Sequence, residues 1–76
     1  MHVRLLAFAH TRDRLGFHER VVECAPDETP RAIISRLAPS LDLASVRVAI
    51  DSEYCDWDAA IGAAKEIALI PPVSGG

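Results

Sequence analysis

One helix framed by prolines narrows the folds open to this chain more than any other feature. Thr29-Pro30 has the chemistry of a helix start: a hydroxyl to cap the first free N–H groups, then a residue whose missing N–H costs nothing at the first helical position. Ile33, Ile34 and Leu37 follow at helical spacing and make one apolar stripe, with Arg31, Ser35 and Arg36 on the watery side. Pro39 disfavours helical geometry in the residue before it, so the helix ends near Ala38. Elsewhere the pattern allows only single helical turns, around residues 12–15 and 58–61. One short helix can cover one face of one sheet, so the expected class is α+β.

The strands follow from period-two patterning. Residues 2–9 are apolar towards their end on both faces, as a central strand is. A polar connection over residues 10–17 closes on Gly16 and leads to a second strand over 18–24, giving a hairpin with a long loop. Val46 to Ile50 reads as a third strand, and Ser52-Glu53 would turn it into a short pairing near Tyr54 and Cys55. Lys65 to Ile70 is the last strand, with Glu66 at its start and Ile67 and Leu69 on one face. If the last strand lies beside the first, the two run parallel in mid-sheet. That is a β-grasp arrangement: a mixed sheet of four to five strands packed on one helix. Residues 1–70 then form the domain, and 71–76 leave the end of a central strand as an extended tail.

Composition closes off several function classes. A chain of 76 residues, half of them hydrophobic, supports one small core, and four aromatics (Phe8, Phe17, Tyr54, Trp57) leave that core aliphatic. A formal net charge of −3 argues against nucleic acid, which requires a basic face. Asp51, Glu53, Asp56 and Asp58 crowd one stretch, which either steers a basic partner or is an ordinary solvated loop. No apolar run nears the roughly 20 residues that span a bilayer. The apolar start is too short and too soon charged for a secretion signal, so the expected location is cytoplasmic. Cys24 and Cys55 form no Cys-x-x-Cys pair, have no histidine at zinc spacing, and read as buried free thiols. His2, His10 and His18 lack the spacing of metal ligands and read as surface residues. There is no calcium loop, Ser-His-Asp set or glycine-rich phosphate loop, so the chain is a poor candidate for an enzyme acting alone.

The ending Pro71-Pro72-Val73-Ser74-Gly75-Gly76 carries the chemistry. Proline holds the chain extended, and glycine, without a Cβ, enters passages too narrow for other residues. Six extended residues reach roughly 20 Å, enough to enter a neighbouring protein's active site. Gly- and Ser-rich ends are also common simply because nothing orders them. Here the Pro-Pro follows directly on the apolar run Ile67 to Ile70, and the tail has no charge except a terminal carboxylate, which favours a functional stalk.

That tail resembles the ending of the molybdopterin synthase small subunit, the sulfur-carrying, ubiquitin-like partner in molybdenum-cofactor biosynthesis. Leu6-Ala7-Phe8-Ala9 with Arg12-Asp13 and Leu15-Gly16 resembles that family's opening strand, arginine-acid pair and loop glycine, and Glu66 to Ile70 resembles its final strand. Gly62-Ala63-Ala64-Lys65 departs from the Asp-Gly-Asp type turn that often precedes this strand in the family.

The resemblance implies a non-catalytic, sulfur-donating subunit whose catalytic pocket lies on a large subunit. An E1-like adenylating enzyme would use ATP to activate Gly76, and a sulfur donor protein would displace AMP to leave a thiocarboxylate. The tail would then enter the molybdopterin synthase large subunit, where the sulfur attacks cyclic pyranopterin monophosphate; two deliveries build the dithiolene. The assembly implied is a heterotetramer, and no cofactor is bound permanently. Gly75 and Ser74 would thread the passage, Val73 would fill an apolar notch, and Pro71 and Pro72 would keep the tail off the sheet. Phe8, Leu69 and Ile70 are candidates for the partner-binding face and equally for the core; Arg12 is a candidate partner contact. Three alternatives stay open: a sulfur carrier for thiazole or another product, a ubiquitin-like binding module with an inert tail, and a protein modifier. Lys65, the only lysine, weighs against a modifier that builds chains on itself.

Overall fold

The computed structural model describes residues 1–8 and 15–70. Five strands and one helix appear in the order β1 (His2–Ala7), β2 (Glu19–Glu23), α1 (Pro30–Leu37), a 3-10 turn (Leu43–Ser45), β3 (Arg47–Ile50), β4 (Glu53–Cys55) and β5 (Glu66–Ile70). The sheet order is β2-β1-β5-β3-β4. β1 and β5 run parallel in the middle, with Leu5 opposite Ile67 and Ala7 opposite Leu69, and the other pairs are antiparallel. This is the β-grasp arrangement, and Pro71 to Gly76, with Arg12, lie outside the described residues.

The helix forms where its local signals place it. Thr29 Oγ1 accepts from the Ala32 N–H at 3.2 Å, and Pro30 fills the first turn. The Ala38 N–H closes the helix onto the Ile34 carbonyl at 2.7 Å, and Pro39 prevents a further turn. Ile33 and Ile34 are fully buried against Val3, Leu5, Val22, Val48, Ile67 and Leu69. The core is aliphatic, with Trp57 and Phe17 only partly buried at its margin.

The strands are slightly shorter than their apolar runs. The ladder between β1 and β2 nevertheless extends one bond past each end, Ala7 N–H to His18 O and Cys24 N–H to Met1 O. β1 is buried on one face only: Val3, Leu5 and Ala7 point to the core, while Leu6 is half-buried on the other side. The tight turn between β3 and β4 sits on Asp51 and Ser52, one residue earlier than the Ser52-Glu53 expected. Both have positive φ, +48° and +73°. A two-residue hairpin loop with both central φ positive matches the twist of its strands, which is why the pairing closes there. The 3-10 turn escapes hydrophobic patterning; it is held by Asp42, whose carboxylate accepts from the Ala44 N–H at 3.0 Å.

Residues 56–65 contain no long element and are stitched to the helix start instead. The Ile61 N–H donates to Glu28 O, the Gly62 N–H to Pro26 O, and the Arg31 N–H to Trp57 O. Ile61 and Ala64 fill the core beneath. The unusual Gly62 to Lys65 segment turns on Gly62, whose φ is +61°. It is then tied by Asp51, whose Oδ1 accepts from both the Lys65 and Glu66 N–H groups at 3.0 Å. The carboxylate that fixes the start of β5 therefore comes from the β3–β4 turn. No helix is long and apolar enough to cross a membrane among the described residues.

Candidate functional site

The last described strand aims whatever follows it. β5 has a hydrogen-bonded neighbour on each side, and Ile67, Ala68 and Leu69 are buried. Register continues to Ile70, opposite Arg47 of β3. A segment leaving Ile70 departs from an internal strand paired on both sides, not from a frayed edge.

Around that exit lies the sheet face that α1 does not cover. Strand alternation and the pairing register assign its rows. One row runs from Leu6 in β1 through Ala68 in β5 and Ala49 in β3 to Tyr54 in β4. A second joins Val21, Arg4 and Glu66, and a third joins Ile70 and Arg47. The two alanines at the centre are only 8% and 4% exposed, although no helix packs there. Larger groups rise around them: Val21 and Tyr54 are 62% and 61% exposed, and Phe8, just after β1, is 50% exposed. Small residues in the middle and aromatic or branched residues at the rim make a shallow apolar surface.

Charges pin this surface. Arg4 holds Glu66 at 2.6 Å across the parallel pair, and the carboxylate pushes the guanidinium pKa up. Arg47 lies over the Tyr54 ring, 4.6 Å from its centroid.

Not all residues singled out in the sequence belong here. Leu69 is 0% exposed and takes the core alternative: inward alternation along β5 puts it beside Val48 and Ala7, away from the open face. Ile70 is half-buried at the edge, Phe8 is exposed, and Arg12 and the tail residues Pro71, Pro72, Val73, Ser74, Gly75 and Gly76 lie outside the described residues. Tyr54, Arg47 and Val21 are face residues that the sequence reading did not single out, because only strand register shows which short side chains they surround.

The acidic stretch divides. Asp51 is spent on backbone N–H groups, and Asp58 grips Arg31 at 2.7 Å, which lowers its carboxyl pKa. Cys24 is buried and Cys55 half-buried; both are free, and burial pushes both thiols up, away from reactive thiolate. Among the described residues, no cluster of three His, Cys, Asp or Glu could hold a metal ion.

The family model described as the ThiS family matches residues 5–76. A crystal structure of small archaeal modifier protein 1 (SAMP1) from Haloferax volcanii superposes with a TM-score of 0.78 at 24% identity, covering 100% of both chains. A second structure of that protein gives 0.75 at 22% identity over 95% of this chain and 98% of that one. A Pyrococcus furiosus protein provisionally assigned as molybdopterin converting factor, subunit 1, gives 0.74 at 21% identity over 96% and 99%. At these identities the structures establish the shared fold.

Proposed function

From the premise that this chain belongs to the ThiS family of ubiquitin-like sulfur carriers, we propose that it is the sulfur-carrying small subunit of a molybdopterin synthase. The observation that carries this reading is the family match, which continues through Gly75 and Gly76, on a fold whose central strand leads directly into that tail. The similarity to the Pyrococcus protein and the Pro71-Pro72-Val73 run support the molybdopterin role over a thiazole role.

The chemistry compensates for the poor electrophilicity of a carboxylate. An E1-like enzyme transfers AMP from ATP to the Gly76 carboxylate and releases pyrophosphate. A sulfur donor protein then displaces AMP, leaving a C-terminal thiocarboxylate. The tail presents that sulfur to cyclic pyranopterin monophosphate in the pocket of the large subunit, and each delivery returns Gly76 to a carboxylate. Ser74 and Gly75 pass the narrowest part of the route, Val73 seats in an apolar notch, and Pro71 and Pro72 hold the stalk extended. Phe8 and Ile70, with Arg12, contribute to the partner-binding face. The reaction takes place in the cytoplasm.

Intact mass after incubation with the adenylating enzyme, ATP and a sulfur source tests the reading. The expected result is the gain from exchanging one oxygen for sulfur, lost when Gly76 is deleted. A Gly76-deleted chain that still supports dithiolene formation overturns it. The similarity to SAMP1 favours a second reading, a protein modifier. That reading requires isopeptide linkage of Gly76 to lysines of other proteins, which the same mass measurement on cell extracts separates from thiocarboxylate.

A further inference from the structure

Arg47 and Tyr54 form the corner of the open face nearest the point where the tail leaves. Arg47 is the cross-strand partner of Ile70, and such partners sit about 5 Å apart between Cα atoms. A protein that takes up this chain close to Ile70 therefore docks beside Arg47. Tyr54 stands one strand further out, opposite Ala49, and its ring carries the guanidinium at 4.6 Å.

This arginine differs from the others on the described surface. Arg4, Arg31 and Arg36 each hold a carboxylate, Glu66, Asp58 and Glu28 respectively. Arg20 lies over Phe17, away from the tail exit. Among the described residues Arg47 has an aromatic face and no carboxylate. Stacking engages the flat side of a guanidinium and leaves its N–H groups for an acceptor. Water serves while the corner is exposed. A partner that covers the corner removes that water, and a buried guanidinium with unmet donors opposes binding strongly unless an acceptor replaces the solvent, the carboxylate being the one that also matches its charge and fork. Arginine and tyrosine are also the residue types that most often dominate docking energy.

We propose that Arg47, held flat on Tyr54, is a docking anchor, and that the E1-like adenylating enzyme presents an aspartate or glutamate to it beside the mouth of the passage that receives the tail. This rests on the carrier reading. The phosphates of ATP are not the acceptor in that reading: they react at Gly76, six residues beyond the end of β5, a span of roughly 20 Å for a chain taken up extended. The anchor therefore governs docking and leaves the adenylation chemistry alone.

The test is ATP–pyrophosphate exchange by the E1-like adenylating enzyme of the same organism, with the carrier as varied substrate. Arg47→Glu should raise KM for the carrier about tenfold or more while kcat stays within about twofold. Arg47→Lys should fall between it and the wild type, since it keeps the charge and loses the fork. Arg47→Gln, which keeps donors without charge and suits the case where Arg47→Glu fails to fold, should also raise KM. Arg31→Ala, on the helix side, should change neither constant. Wild-type activity with an Arg47→Glu or Arg47→Gln KM within about twofold of wild type overturns the inference while the carrier reading stands. No exchange with the wild-type chain overturns both.

Discussion

The two faces of this sheet use the same strands to opposite ends. On the helix side, Val3, Leu5, Val48, Ile67 and Leu69 are all 1% exposed or less, and no charged side chain joins them in the core cluster. On the open side, alternate positions of the same strands carry Arg4, Glu66, Arg47 and Tyr54 around two alanines. The inner face supplies the stability of a domain too small to have much in reserve. The outer face is then free to be shaped for contact, since a branched or aromatic residue there is not needed to hold the chain together. Central placement of β5 joins the two roles: the strand most deeply set in the core is the one that leads to the tail.

Truncating one side chain on each face breaks the comparison most directly. Ile67→Ala removes a fully buried side chain between β1 and β3 and should cost about 2–5 kcal/mol. That is comparable with the whole net stability of a core this size, about 3–5 kcal/mol. Chemical denaturation should find the variant largely unfolded. Val21→Ala, on the open face, should stay within about 0.5 kcal/mol of the parent. Equal losses at the two positions would mean the open face is part of the core.

The next effect concerns the junction that sets β5 in place. Asp51→Ala removes the acceptor for the Lys65 and Glu66 N–H groups and should cost about 1–3 kcal/mol, read as a lowered denaturation midpoint. The neighbouring Ser52 holds a φ of +73° that glycine adopts without strain. Ser52→Gly should therefore be neutral or stabilising by up to about 1 kcal/mol, the opposite sign to its neighbour. If Asp51→Ala leaves the midpoint unchanged, the start of β5 is fixed by its ladder alone.

How much of this was legible in the sequence follows from whether each signal is local. The helix was legible because Thr29, Pro30 and Pro39 fix its ends by chemistry within a few residues, and its stripe by spacing. The central parallel pair was legible because both strands are apolar and one helix leaves few other ways to cover them. The β3–β4 turn falls one residue earlier than Ser52-Glu53 because Asp51 and Ser52 take the left-handed backbone, and no glycine in this stretch marks the turn locally. Asp51 bonds to residues 14 and 15 positions away, a distance no local pattern spans. The same limit applies to the docking face. Leu69 and Ile70 are adjacent and both apolar, and only the register showed that Leu69 points into the core while Ile70 meets Arg47.

The smallest effect tests whether charge on the helix side contributes anything to the stabilising role assigned to that side. Arg36 lowers the Glu28 carboxyl pKa, chiefly through their hydrogen bond, helped by the Ala25 N–H; Arg31 does the same to Asp58. A carboxyl whose folded pKa is depressed stabilises the fold above its unfolded pKa and loses that contribution as pH falls through the folded value. Unfolded carboxyls titrate near 4, so stability should be flat at neutral pH and decline from about pH 4 downwards. Both carboxylates meet solvent, and exposed pairs are weak and screened, so the decline should be shallow and should shrink further at high salt. A Glu28→Gln, Asp58→Asn double variant should flatten the acid branch and lower the midpoint near pH 7 by the same small amount. If its acid branch matches the parent's, these pairs merely decorate the helix side, and the stabilising face is apolar throughout.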